Sequence, residues 1–356
     1  MLFLRKLKNY LKYIVLFLGK FFAKVLSKRQ SKLVFKNIYI VLGKPLGIGD
    51  LIMLVPYIFN IRQIYANKKV FLVTDYPKLF DVKHLNWISP DEITNQDWKE
   101  SMVVLPDLNF RIPKGVILSR YIIGYIFSTY IFSNFAGSHT GYDLKNDHYC
   151  ERIKSIISAM GVKEIKPKYN DVKCIDEDLT RLNLPKKYVC MAPLSNWDTR
   201  QYDVKRICKI LRSLHKHSDV ILLGTENERK AFDKYLSVYD SQKVINLMGK
   251  TSILELIKII KGATLTIAND SGPAHISSLF SENSIVIYGC CTPESRMPLN
   301  KKLADNVVNF SNGSNCEHFP CFNGLSEPVC KNIKKYTCLD IDPKEITHRA
   351  IEILNI

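Results

Sequence analysis

The strongest constraint in this chain is an alternation that runs twice. From residue 37, short β-branched runs exchange with stretches of helical period: "NIYIVLG", "DLIMLVPYIFNIRQIYA", "KVFLVTD", and then "SMVVLPD". After residue 180 it restarts more regularly. "YVCMAPL", "DVILLGT", "KVINLMG", "TLTIAND" and "SIVIYGC" read as strands, and "VKRICKILRSLHK", "NERKAFDKYLS", "ILELIKIIKGA" and "GPAHISSLF" as the helices between them. Alternation of this kind builds parallel βαβ units with right-handed crossovers. At 356 residues the chain is also too long for one ordinary core. The expectation is therefore α/β: two doubly wound, Rossmann-like domains facing across a cleft. "IKPKYNDVKCIDEDL" interrupts the periodicity with prolines and charges, which sets the domains at 37–172 and 173–356.

The net charge of +17 is unevenly placed: residues 1–36 carry ten Lys or Arg and no acid, and removing those ten leaves +7 for the rest. In this segment Leu4, Leu7, Leu11, Ile14, Leu18, Phe22 and Val25 recur at steps of three and four, one face of a helix, with Arg5, Lys6, Lys12, Lys20 and Lys24 on the other side. Lys12, Lys20 and Lys24 break the apolar run that a signal peptide or a spanning helix requires. The segment reads as a basic amphipathic helix on an anionic membrane surface, with packing on the protein's own core as the alternative. Nucleic acid is not the expected partner, because the basic residues lie among bulky aliphatics and not among base-stacking platforms. A second apolar run, 116–135, carries the single charge Arg120. It reads as a buried helix, or else as an apolar surface toward lipid.

Ten cysteines without a secretory signal favour reduced thiols in a cytoplasm. Cys316, Cys321, Cys330 and Cys338 crowd the tail at spacings looser than paired C-x-x-C units, so buried free thiols are the simpler reading and a metal site the alternative.

Chemistry-bearing residues cluster where strands hand over to helices. "GKPLGIGDLIMLVP" places Gly43, Gly47 and Gly49 where absent Cβ atoms admit a ligand, and its spacing does not match a dinucleotide fingerprint. Asp50 at the helix entrance is either an N-cap or a general base facing the cleft. In "NDSGPAH", the amides of Ser271 and Gly272 open a helix after Asp270, Pro273 suits its first turn, and His275 follows within reach of an anion. "APLSNWDTRQY" adds Ser195 and the fixed cation Arg200, which can fork onto a diphosphate. "GTENER" adds Glu226 and Glu228 as acceptors for ribose hydroxyls or as a simple acidic helix start. The acid clusters "DED" (176–178) and "DID" (340–342) are not placed like a metal-holding pair.

Together these stretches resemble the bacterial ADP-heptose:lipopolysaccharide heptosyltransferases, inverting enzymes of glycosyltransferase family 9 with the GT-B fold. The resemblance runs from about residue 38 to 352 and is strongest over "NLMGKTSILELIKIIKGATLTIANDSGPAHISSLFSENSIVIYG"; "GIGDLIMLVP" matches the first family motif and "CEHFPCFNGLSEPVCKNIKKYTCLDIDPKEI" is similar to the tail of many members. It implies Asp50 as catalytic base, and Asp270, Ser271, Gly272 and His275 as contacts to the donor sugar and diphosphate. It further implies Glu226 as the ribose contact, Thr251 at the adenine pocket and Ser195 and Arg200 beside the diphosphate, while Gly47 and Gly49 lie in the acceptor-side loop. Arg200 stands where the family commonly has Lys, and Tyr202 where it commonly has Trp. The implied reaction needs no cofactor and no metal, and its partners are ADP-heptose, a lipid-linked oligosaccharide and the inner face of the cytoplasmic membrane. Rival readings are heptose transfer to protein side chains, a nucleotide-sugar epimerase, and a non-catalytic nucleotide-sugar binding module.

Overall fold

The computed structural model describes residues 34–42, 47–76, 78–106, 113–119, 121–126, 130–133, 147–236, 243–297, 306–322 and 327–356. The N-terminal segment through residue 33, Gly43 and Arg120 lie outside the described residues, and with them the expected amphipathic helix. Among the described residues no helix is long and apolar enough to cross a membrane.

The first sheet comprises β1 (Asn37–Val41), β2 (Lys69–Val73), β4 (Leu85–Ile88), β5 (Ser101–Leu105), β6 (Tyr121–Ile126) and β7 (Tyr130–Ser133), in the order β4-β2-β1-β5-β6-β7. A short β3 (Phe80–Val82) leaves it to pair antiparallel with β8 (Val172–Cys174). Helices α1 (Ile48–Ile58), α2 (Asn95–Lys99) and α3 (Glu151–Ala159) complete this half. The second sheet comprises β9 (Val189–Ala192), β10 (Val220–Leu222), β11 (Val244–Asn246), β12 (Leu265–Asn269), β13 (Ser284–Ile287) and β14 (Val307–Phe310), wholly parallel in the order β11-β10-β9-β12-β13-β14. Its helices are α4 (Val204–Leu214), α5 (Glu226–Leu236), α6 (Ile253–Gly262), α7 (Gly272–Phe280) and α8 (Pro343–Leu354). Each sheet reverses direction beside its first strand, β1/β5 and β9/β12. Ligands of open parallel sheets bind outside the carboxyl ends of the strands at such a switch point.

The run 116–135 corrects an expectation: its described residues form no α-helix, only the end of a short 3-10 turn (Lys114–Leu118) followed by strands. Residues Tyr121–Ile126 lie parallel to β5, and β7 returns antiparallel to them. Apolar periodicity does not separate a buried helix from a buried strand, and "YIIGYI" is built of aromatic and β-branched residues that favour the pleated form. Residues 80–88, β14 and α8 add elements that the alternation alone had not outlined.

Packing follows from strand parity. Val189 and Met191 face a cluster with Ile207, Leu211 and Ile346, whereas Cys190, one residue out of phase, faces α6. That second cluster continues through Ile257, Ile260 and Ile276 into Leu51, Leu54, Ile38 and Ile40 of the first half, so one apolar core runs between the sheets. Helix α1 is buried except at Ile48 and Asp50, as expected of a helix covered on several sides. It meets α7 at closest range at two glycines. A Cβ on Gly49 would stand 2.3 Å from the His275 ring, and one on Gly272 would stand 2.7 Å from Ile48. Gly49→Ala should therefore destabilise the protein by about 1–3 kcal/mol through overpacking; denaturant melts check this, and an unchanged midpoint would mean the helices separate freely.

Candidate active site

The loops after β1, β9, β12 and β13 converge where α1 and α7 meet. Gly47 is the residue before α1 and leaves the helix end without a side-chain cap. Asp50 lies in the first turn with its side chain 27% exposed, and Arg296 Nη1 stands 3.1 Å from its Oδ1. It is not the N-cap.

Asp270 follows β12 and is almost fully buried. Arg200 Nε lies 3.4 Å from its Oδ2 and His275 Nε2 3.4 Å from its Oδ1, long for hydrogen bonds but close for charge. Burial pushes the Asp270 carboxyl up, and the Arg200 cation, His275 and Arg296 outweigh it, holding it well below the usual carboxylate range. Among the described residues neither Asp270 oxygen nor Arg200 Nε has a hydrogen-bond partner. Buried polar atoms left this way are rare and point to a missing ligand.

Ser271 precedes α7, but its hydroxyl donates to the Asn269 carbonyl (3.0 Å) and gives no side-chain cap. The turn thus differs from a capped one: the first amides of α7 are left for another acceptor, beside Gly272 and Pro273.

The β9 loop is stapled in place. Gln201 accepts from Ser195 N (2.6 Å) and donates to the carbonyls of Pro193 and Tyr202, and Asn269 joins the same loop through Tyr202 N and Pro193 O. Arg200 then lies over Trp197 at 4.1 Å and Phe322 at 5.2 Å from the ring centroids. Tyr202 is not a site residue; it is fully buried, and its hydroxyl donates to Ile341 O at 2.7 Å.

Glu226 opens α5, partly exposed and paired with Arg229 at 2.6 Å. Gly249, at φ +73°, lets the backbone pass against it, where a Cβ would stand 2.4 Å from Glu226 Oε2. Glu228 accepts from Thr225 N instead. Thr251 is half-buried just before α6, whose cap is Ser252 with Glu255. The acid clusters are occupied elsewhere: Asp178 accepts from Thr180, Asp342 caps α8, and Asp340 pairs with Arg206.

The tail thiols draw together near Cys290. Burial, then the neighbouring thiols Cys290, Cys316 and Cys330, push Cys321 up to about 11; burial and Cys316, Cys321, Cys290 and Cys330 push Cys338 up to about 12. Among the described residues no three His, Cys, Asp or Glu side chains are arranged to hold a metal ion.

Sequence reasoning missed Arg296 and its surroundings. Tyr149 N donates to Ser295 O at 2.9 Å, and the Arg296 guanidinium lies over Tyr149 and Phe322. The logic applied to the other strand ends would have reached Arg296, since it follows β13 in the same sheet. His148 was invisible because its role depends on the fold: its Nδ1 accepts from Cys150 N and its Nε2 faces Met297 O.

Two mostly parallel six-stranded sheets with charged loops meeting at their switch points define an α/β protein of the GT-B fold. The model of glycosyltransferase family 9 (heptosyltransferase) matches residues 158–325. Lipooligosaccharide heptosyltransferase 2 of Campylobacter jejuni is 21% identical over 326 residues, covering 87% of this chain and 96% of that protein. The solved glycosyltransferase family 9 protein of Veillonella parvula superposes with a TM-score of 0.67 at 13% identity, over 92% of this chain and 99% of that one. The Escherichia coli ADP-heptose lipopolysaccharide heptosyltransferase II gives 0.63 at 12% identity, over 90% and 98%. The chain is thus similar to the heptosyltransferases of glycosyltransferase family 9, by that model over residues 158–325 and by these relatives over most of its length.

Burial lowers His148 to about 4, against the opposing Met297 carbonyl and helped by the Arg296 charge. Its folded value lies below the ordinary 6.5, so below that value the unfolded chain takes the proton first. Stability is intact above about pH 6.5 and falls toward pH 4, by on the order of 3 kcal/mol from this residue. Chemical denaturation across that window should show a shallower fall for His148→Asn; parallel curves would refute the assignment.

Proposed function

We propose that this chain transfers a heptose from ADP-heptose to a hydroxyl of the lipid A–core oligosaccharide, with inversion at the anomeric carbon. The observation that carries the donor side is the buried Asp270 carboxylate, ion-paired with Arg200 but without a hydrogen bond among the described residues, beside a helix start that has no side-chain cap. Asp270 and His275 would take the sugar hydroxyls and a phosphate oxygen, and Arg200 with the amides of Ser271 and Gly272 would take the diphosphate. Ser195 lies on the same loop as Arg200. Glu226 would accept from the ribose, and Thr251 would line the adenine pocket. Relatives of the same family named for ADP-heptose and for lipopolysaccharide or lipooligosaccharide support this substrate pair.

The chemistry then follows from charge. Asp50 takes the proton of the acceptor hydroxyl as its oxygen attacks the anomeric carbon, and the bond to the diphosphate breaks with the electron pair leaving on oxygen. The growing negative charge is met by Arg200 and the α7 amides, groups already fixed before the reaction. Gly47 and Gly49 keep the acceptor-side loop thin next to Asp50. In this reading residues 37–172 hold the acceptor and 173–356 the donor. Asp50→Asn should lower the transfer rate about 10²- to 10⁴-fold while the protein stays folded, measured by mass-spectrometric product formation; unchanged transfer would exclude the base.

The basic segment 1–36 would hold the enzyme against the anionic leaflet that carries its acceptor. A chain starting at residue 35 should lose co-sedimentation with vesicles containing anionic lipid, which the full chain keeps; equal sedimentation would refute the role.

A further inference from the structure

Arg296 is a charged group for which the mechanism above has no use, and its placement is unusual. It belongs to the loop after β13 of the donor-side sheet, yet its ion-pair partner is Asp50 of the acceptor side, at 3.1 Å. Its side chain is only 5% exposed. The loop is fastened across the seam by Tyr149 N to Ser295 O and by His148 to Met297 O. The guanidinium lies over Tyr149 (4.9 Å) and over Phe322 (4.8 Å), and Phe322 also carries Arg200 (5.2 Å). Two arginines therefore share one ring, and each is engaged by a carboxylate: Arg200 by Asp270, Arg296 by Asp50.

The charges nearly balance without substrate, and a nucleoside diphosphate adds at least two negative charges to them. A buried cation stays stable only while paired, so one of the two must exchange a carboxylate for a phosphate oxygen. Asp270 is fully buried, whereas Asp50 is 27% exposed and can be solvated or meet an acceptor hydroxyl when its cation leaves. The guanidinium is a planar fork of five donors, suited to either carboxylate or phosphate. We propose that Arg296 is a second diphosphate-binding residue, held by Asp50 in the free enzyme and handed to the donor when it binds. Donor binding thereby releases the Asp50 carboxylate, and the donor binds before the acceptor. The order of binding rests on Asp50 being the base; the exchange of partners does not.

Because the exchange is an equilibrium, it is reciprocal: whatever frees Arg296 must tighten the diphosphate. Calorimetry with ADP on the full chain tests it. Arg296→Gln should weaken ADP about tenfold or more, and Arg296→Lys should restore part of the loss. Asp50→Asn should tighten ADP severalfold in the native background and leave it unchanged in the Arg296→Gln background. A general change in field would tighten ADP equally in both backgrounds and would overturn the proposal, as would native affinity in Arg296→Gln. Should Arg296→Gln not fold, the Asp50→Asn comparison with and without Arg296→Lys decides, since a shorter donor must reduce the gain. The transfer assay on Asp50→Asn separates the two readings: retained transfer removes the base and the order of binding, while the ADP cycle alone decides the exchange.

Discussion

Everything at the centre of this molecule depends on how closely α1 can approach α7. The approach is set by the missing side chains of Gly49 and Gly272, against His275 and Ile48 respectively. It lets one apolar core run from the first sheet through both helices to the second. It also brings two helix N-termini to the same place, so the partial positive charge of each is aimed into a shared space. An anion is the natural occupant of such a space, and a carboxylate at each helix start is what the chain itself supplies.

The consequence is a largely buried cluster crowded with formal charge. Burial lowers Arg152 to about 9, against the nearby Asp50 charge. Against the cost of burial, Asp270 and Cys291 hold Arg200 charged, and Cys291, Asp50 and Asp270 do the same for Arg296. Tyr149, Phe322 and Trp197 fill the space between the guanidinium groups with π faces. Buried ion pairs contribute little net stability against well-packed apolar residues. Their retention here is better explained by what they hold in position than by how firmly they hold the fold.

Much of the second half was legible because its signals are local. Strand, turn and helix follow one another within a few residues from 188 to 288, and each strand end announces its polar residues in the sequence. Asp50, Arg200, Asp270 and His275 are singled out by the sequence in this way, and the structure brings all four close to one another and to Arg296. The first half was less legible. A continuous apolar run such as 116–135 reports burial without reporting periodicity, so strands were mistaken for a helix. Arg296, His148 and Tyr149 carry no local signal of their relation, because 146 or more residues separate their contacts in the chain. The sequence does not show that the Ser271 hydroxyl turns back to Asn269 instead of capping α7, because that depends on backbone geometry.

Tyr202 and Arg206 both donate to the carbonyl of Ile341, at 2.7 Å each. That carbonyl lies just ahead of α8, which packs on α4 with Ile346 and Ala350 buried. The last helix is thus a buttress for the loop that carries Arg200, although it lies far along the chain from any residue of the site. That anchoring makes the start of α8 a structural support of the Arg200 loop, so a change that loosens α8 would be felt as a loosened cation.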